Sequence, residues 1–363
     1  MLYRLNTILP RKNYTADAVE LIDIDIIDPI SQILFTHEVN NVSSGLGATG
    51  HPIRCISKIE LVDGSTVLES LSGQEAQAVD FYHRGKEPSN LMLYMDGIYS
   101  EVVAAINFGR FLYDPLLAWD PKKFTNPQLK VTIDLDGGGC NATDGYLTVI
   151  AHIFDEKKIS PVGFLMTKEV KQYTLANGSH EYTELPRDFP YRQLFLRAQR
   201  YGTGPEDQID TVKISEDADK RVPLNHTMKQ ILRNVAAGWG TYKESIIMSG
   251  GTSAHYYYCT PCNWPKFAGA GWRNTANIGS AAFYGGDGGR FQRIMDTYAG
   301  NVQAHIEGYA PHAVVPLLPK FSDDLTDVYD VSKIGDLKLD VLAGSSVGTD
   351  QTAEIITQQL KKY

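Results

Sequence analysis

The sequence predicts an all-β protein made of two tandem copies of one β-sandwich domain, and three observations lead there. Apolar residues alternate with polar ones in short runs, turn residues separate the runs at sandwich spacing, and a strand–turn–strand–helix unit occurs twice. The 363 residues include 20 Tyr, 32 Gly and 17 Pro, a mixture of β-forming aromatics and turn formers.

Residues 128–135 place Leu129, Val131, Ile133 and Leu135 on one face and Lys130, Thr132 and Asp134 on the other, the period of a half-buried strand. Residues 146–154 are apolar on both faces and read as a buried strand. Ile56 to Leu71 reads as a hairpin about Asp63-Gly64, and Lys168 to Leu185 as a second about Asn177-Gly178, both dipeptides suiting a type I′ turn. Two helices are expected, at 73–83 and 226–236. Ser72-x-x-Glu75 is a capping box before the first, with Leu71 and Ala76 placed as a staple. Met228, Ile231, Leu232 and Val235 form one apolar face of the second.

Aligning the two units sets Ile56, Ile59 and Leu61 on Ile209, Val212 and Ile214, Leu71 on Leu224, and the cap Ser72 on Asn225. The order of elements continues downstream. Pro115-Leu116-Leu117, Leu129–Ile133 and 146–154 correspond to Pro316-Leu317-Leu318, Leu337–Val341 and Ile355-Ile356. The division expected from this repeat is an N-terminal arm at 1–19, a first domain at 20–164 and a second at 165–363. The second copy is longer by about 48 residues within roughly 238–312, a segment rich in Gly and Tyr that reads as a long surface loop or an elaborated sandwich edge.

Composition narrows the function classes. Apolar residues are 43% and charged residues 21%, so the chain folds. With 34 Lys and Arg against 43 Asp and Glu, the net charge of −9 argues against sequence-specific nucleic-acid binding. No apolar run reaches the ~18 residues of a membrane helix. The start lacks the length of a secretory signal, so the chain is expected to be made without one. Four cysteines are too few for a disulfide framework. Arg4, Arg11 and Lys12 make residues 1–13 basic, an arm suited to a phosphate surface or a partner's acidic edge, or simply a solvated terminus.

Local motifs for chemistry fail on context. Ser44–Gly50 holds G-x-G-x-x-G, but His51-Pro52 and a β run follow instead of a helix. His255, Cys259 and Cys262, with His305 or His312, could supply zinc ligands, yet there is no second C-x-x-C, and buried loop cysteines or a disulfide are the plainer readings. Asp134, Asp136 and Asp144 miss the EF-hand register, since Gly138 and Gly145 fall where ligands belong. Glu206-Asp207 and Asp323-Asp324 sit in polar turns, and the sequon Asn41-Val42-Ser43 has no secretory context. The expectation is therefore no catalytic residue, no cofactor and no metal.

The segments 56–85, 113–136 and the turn Leu185-Pro186-Arg187-Asp188-Phe189-Pro190-Tyr191-Arg192 resemble the double jelly-roll major capsid proteins of tailless icosahedral viruses, the tectivirus–corticovirus–adenovirus lineage, over about 20–360. The resemblance implies two eight-stranded jelly rolls with short helices, homotrimers of pseudo-hexagonal outline, and loops towering on the virion exterior. It further implies synthesis in the host cytoplasm, location in the capsid, and contacts with neighbouring capsomers, penton and minor capsid proteins. An internal viral membrane under the shell would be met by the arm with Arg4, Arg11 and Lys12. A carbohydrate- or receptor-binding β-sandwich, with the Tyr-rich insertion stacking sugars, and a β-sandwich hydrolase are the other function classes compatible with these residues.

Overall fold

Strand burial follows the period of two read from the sequence: Leu129, Val131 and Ile133 are buried, while Lys130 and Thr132 between them are half-buried. The computed structural model describes residues 1–40, 48–95, 97–248, 254–272, 281–295 and 301–363. The first sandwich contains β1 (Tyr3–Tyr14), β2 (Ala18–Asp23), β3 (Ile30–Val39), β4 (Ile56–Asp63), β5 (Thr66–Leu71), helix α1 (Gly73–Arg84), β6 (Met92–Tyr94), β7 (Ser100–Asn107), β8 (Pro127–Ile133) and β9 (Gly145–Phe154). The second begins with β10 (Gly163–Thr174), β11 (His180–Glu184), β12 (Tyr191–Arg197), the one-turn helix α2 (Pro205–Gln208), β13 (Ile209–Glu216), β14 (Arg221–Thr227) and α3 (Met228–Trp239). The insertion follows as β15 (Tyr242–Met248), β16 (His255–Tyr258), β17 (Pro261–Trp272), β18 (Ala281–Gly285), β19 (Arg290–Met295) and β20 (Asn301–Pro311). The second sandwich is completed by β21 (Val314–Pro316), β22 (Leu337–Ala343) and β23 (Thr352–Lys362).

Strand order reveals the duplication. The first sandwich has layers β1-β9-β3-β7 and β2-β8-β4-β5. The second has β10-β23-β12-β21 and β11-β22-β13-β14, the same order with each strand replaced by its counterpart. Each is an eight-stranded jelly roll in which the first strand pairs with the last. The two are fused, because β5 runs parallel beside β10 with Ser70 opposite Lys168, making one eight-stranded sheet across the chain. A contiguous apolar cluster runs through both sandwiches and into the insertion.

Several local expectations are corrected. In the hairpin at Asp63, only Gly64 takes a positive φ (58°), so the turn centres on Gly64-Ser65 and is not of type I′. Residues 168–185 are not a hairpin: β10 pairs with β23 and β11 with β22, in different layers, and Asn177-Gly178 only reverses the chain between them. Turn residues specify a reversal; the partner strands decide the pairing. Helix α3 is capped by Thr227, whose hydroxyl accepts from Gln230 N (3.3 Å) while Gln230 Oε1 accepts from Thr227 N (3.1 Å), so the cap lies two residues beyond Asn225. The β13–β14 turn is longer than its counterpart, with Asp217, Ala218 and Asp219 all at positive φ, and this shifts the second copy: Leu71 corresponds to His226, not Leu224. The Pro-Leu-Leu match also fails, since Pro316 ends β21 whereas Pro115 lies in the loop after β7. The capping box Ser72–Glu75 is present as expected.

The N-terminus is no arm. Its residues form β1, paired with β9 along its length, with Tyr3 opposite Phe154 and Tyr14 opposite Gly145. The alternation Leu5, Thr7, Leu9 was hidden by Pro10-Arg11-Lys12, which β1 accommodates by register shifts on either side of Leu9.

Candidate assembly surfaces and the polar seam

Jelly-roll connectivity sends the loops to two opposite ends. Met1, the turns at 24–29 and 108–126, the linker 155–162 and Tyr363 lie at one end, here the base, tied by Asp155 N to Leu2 O (3.0 Å), Val162 N to Leu116 O (2.9 Å) and the Tyr363 hydroxyl to Ala118 O (2.8 Å). The turns at 15–17, 48–55, 134–144, 175–179 and 344–351 lie at the other end, here the crown, together with the insertion.

This geometry separates the three basic residues expected to act together. Arg4 is at the base, near Asp155 (3.6 Å) and Asp28 (4.0 Å). Arg11 is near the crown, seven residues up the strand and so roughly 23 Å away. It forms a two-pronged pair with Glu38 (2.8 Å each) and stacks on the Tyr146 ring (3.4 Å), while Lys12 pairs with Glu20 (2.7 Å). Each cation has an acid beside it, so the N-terminus presents no basic patch. The base instead exposes Met1, Leu2, Ile27, Phe111, Leu112, Leu116 and Val162.

The insertion is built of strands, where the sequence suggested mainly loop. β17-β20-β15 form a sheet extended by β6 of the first sandwich, with Met92 parallel to Ile246, and β16-β19-β18 form a second, smaller sheet. Phe267, Phe283 and Phe291 pack between them, with centroids 5.2–6.1 Å apart. Its Gly and Tyr content masked the alternation because aromatic residues occupy both faces of β16, with Tyr257 buried and Tyr256 exposed.

A buried polar seam locks insertion, first sandwich and second sandwich together. Ile53 N donates to His51 Nδ1 (3.3 Å), so Nε2 carries the ring proton and donates to Thr260 Oγ1 (3.1 Å). The Thr260 hydroxyl donates to Glu244 (2.9 Å), whose other oxygen accepts Thr260 N (2.7 Å). Burial pushes the Glu244 carboxyl up to about 7 and the His51 imidazole down to about 3. His312 is held by Gln74 Nε2 (3.1 Å) and Gln77 Oε1 (2.6 Å) of α1. Arg197 on β12 pairs with Glu354 on β23 and donates to Gln74 Oε1 (2.6 Å), Gln199 Oε1 (2.7 Å) and His312 O (3.0 Å). None of these roles was read from the sequence. In one strand or helix the residues look like a solvated face, and only the docking of three units encloses them. Replacing Thr260 by valine keeps the shape but orphans both Glu244 and His51; a loss of about 2–4 kcal/mol in chemical denaturation is expected, at ~1–3 kcal/mol per unsatisfied buried group.

The candidate zinc ligands are spent elsewhere. His305 Nδ1 bonds the Ser245 hydroxyl (2.7 Å), His255 lies opposite Arg293 in the small sheet, and His312 bonds α1. Cys259 and Cys262 are buried free thiols, as are Cys55 and Cys140, and burial pushes Cys262 up to about 12. Among the described residues no group of three or more His, Cys, Asp or Glu could hold a metal. The G-x-G-x-x-G segment lies outside the described residues up to Gly47. Gly50 serves packing, since a Cβ there would stand 2.9 Å from Cys140 Sγ. Asp134 and Asp17 bond turn amides, Glu206 accepts Asn263 (2.7 and 2.8 Å), and Asp207 and Asp324 cap local turns. Asn41-Val42-Ser43 is outside the described residues.

No protein-family model matches the sequence, and no curated protein matches it. Solved structures do. The major capsid protein of Sulfolobus turreted icosahedral virus superposes with a TM-score of 0.60 at 8% identity, covering 99% of this chain and 98% of that one. VP54 of the virus PBCV-1 gives 0.57 at 10% identity, covering 99% and 93%. The major capsid protein P2 of bacteriophage PM2 gives 0.50 at 12% identity, covering 99% and 98%. With its two strand-for-strand equivalent sandwiches, the chain has the double jelly-roll fold, in the same overall arrangement as these viral major capsid proteins.

Proposed function

We propose that the chain is a major capsid protein, a structural subunit that assembles as homotrimers of pseudo-hexagonal outline into an icosahedral virion shell. The observation that carries this reading is the fusion of two equivalent jelly rolls into one sheet, matched end to end by structures of viral major capsid proteins. Three chains supply six similar sandwiches, and a closed ring of six tiles a surface with one gene product. The protein is then a virion component without a catalytic role, meeting neighbouring capsomers, penton and minor capsid proteins at its sides. The crown faces outward, because the insertion projects there. The base faces inward, and its apolar fringe from Met1 to Val162, with Arg4 beside it, is the part that meets an internal membrane; Arg11 and Lys12 are too high on β1 to share in it.

Light scattering of the purified protein is expected to give three chain masses at micromolar concentration, and negative-stain images flat pseudo-hexagonal tiles. A stable monomer would remove the capsid reading. Limited proteolysis of particles is expected to cut within 249–300 first and to spare the base; early cleavage at 108–118 would reverse the orientation.

A further inference from the structure

Inside the chain the two sandwiches meet along one junction. β5 lies beside β10, the Glu69 carboxylate accepts Thr167 N (2.8 Å) at the edge of β10, and Lys58 pairs with Glu169 (2.6 Å). Helix α1, which follows β5, is covered by the second sandwich: it is buried from Gly73 to Tyr82, with Gln74 on Arg197 and the Tyr82 hydroxyl on Val314 O (2.7 Å).

Both halves of this junction have counterparts. By the duplicated strand order, β14 and α3 stand for β5 and α1, and β1 stands for β10. In the chain these counterparts are uncovered. The last four residues of β5 are buried, whereas no residue of β14 is. The first five residues of β10 are buried, whereas β1 buries only Leu9 and Tyr14. Helix α3 buries Met228, Ile231, Leu232 and Val235 and leaves Lys229, Gln230 and Asn234 outward. Apolar side chains stand exposed on both strands, Leu5 at 59% on β1 and Val222 at 39% on β14. A surface that the fold covers once within the chain is thus presented a second time, its two halves on opposite sides of the molecule.

We propose that β14 and α3 of one copy dock on β1 of the next, repeating the β5–β10 junction between chains. The contact is heterologous, so it propagates until it closes. Closure after three copies rests on the capsid reading; the choice of strands rests on the duplicated junction. The occupant of each surface is a second copy of this chain.

The register gives the test. Ser70 precedes its helix cap by two residues, as Asn225 does, and Lys168 is five residues into β10, which falls at Ile8 of β1 with Thr7 exposed beside it. A Thr7→Cys, Asn225→Cys double variant, oxidised in solution, is expected to give a covalent species of three chain masses, and each single variant one mass. Independently, Leu5→Glu with Val222→Glu is expected to convert the trimer to monomer with unchanged circular dichroism, while Tyr182→Glu on β11, the far edge of the β14 sheet, leaves the trimer intact. Either the cross-link or this selective dissociation supports the junction. A trimer that shows neither overturns the junction and leaves the capsid reading standing; a wild-type monomer overturns both; covalent ladders beyond three masses overturn closure.

Discussion

Acidification is expected to leave stability nearly level from about pH 6.5 to 4.5 and then to unfold the protein steeply toward pH 3. Burial holds His37 and His83 down to about 4, His51 to about 3, and His312 well below its ordinary value of 6.5. Their folded pKa values lie below the unfolded ones, so the unfolded chain binds protons that the folded chain refuses, and stability falls as pH drops below 6.5. Buried carboxyls act in the opposite sense. Glu75 and Glu244 are pushed up to about 7 and Glu69 well above its ordinary 4.5, so the folded chain takes up protons first and gains stability as pH falls from 7 to 4.5. Within that window the two sets oppose each other. Below 4.5 the carboxyl gain is complete while the histidine loss continues to about pH 3–4, adding several kcal/mol at ~1.4 kcal/mol per unit and group. Denaturant titrations from pH 3 to 8 check this. His37→Phe fills the same buried site without binding a proton and is expected to lower the acid midpoint; an unchanged midpoint would remove His37 from the account.

Replacing Arg197 by methionine is expected to destabilise the chain by about 3–5 kcal/mol, the range for leaving a buried charge without its partner. Glu354 is held below its ordinary value by Arg197 despite burial, and Glu75, raised by burial and by Glu354, faces the same guanidinium. Without Arg197 both carboxyls become costly to ionise, so the loss grows as pH rises through 7. Adding Glu354→Gln removes one stranded charge and is expected to restore part of the stability. If the double variant is no more stable than Arg197→Met alone, the guanidinium acts through packing and its other hydrogen bonds. Because Arg197 and Glu354 belong to the second sandwich while Gln74 and Glu75 belong to α1, the same variant is expected to loosen the union of the two sandwiches, seen as faster amide exchange along α1.

The fate of α1 shows how far sequence reading reaches. Its existence, its cap and its boundary at Gly73 followed from Ser72 and Glu75, because capping is a contact between residues three apart. Its burial did not follow. Gln74, Glu75, Gln77 and Asp80 read as a solvated face, yet all four are buried because the second sandwich and His312 cover them. The second copy of the unit was found through Ile209, Val212 and Ile214, which do align, but was misplaced after β13 by an extended turn.

By itself the sequence determined what short-range chemistry determines: strands of period two, the turn at Gly64, the capped helices, and the tandem repetition from which two sandwiches follow. Only the tertiary structure decided the rest. It placed residues 1–14 in a sheet, because β9 supplied a partner 140 residues away that no local pattern could announce. It divided Lys168–Leu185 between two layers, folded the Gly- and Tyr-rich insertion into strands, and brought His51, Thr260 and Glu244 into one chain of hydrogen bonds. Pairing and burial are relations between distant segments, and a residue's alternation or charge fixes its share of such a relation without naming the partner.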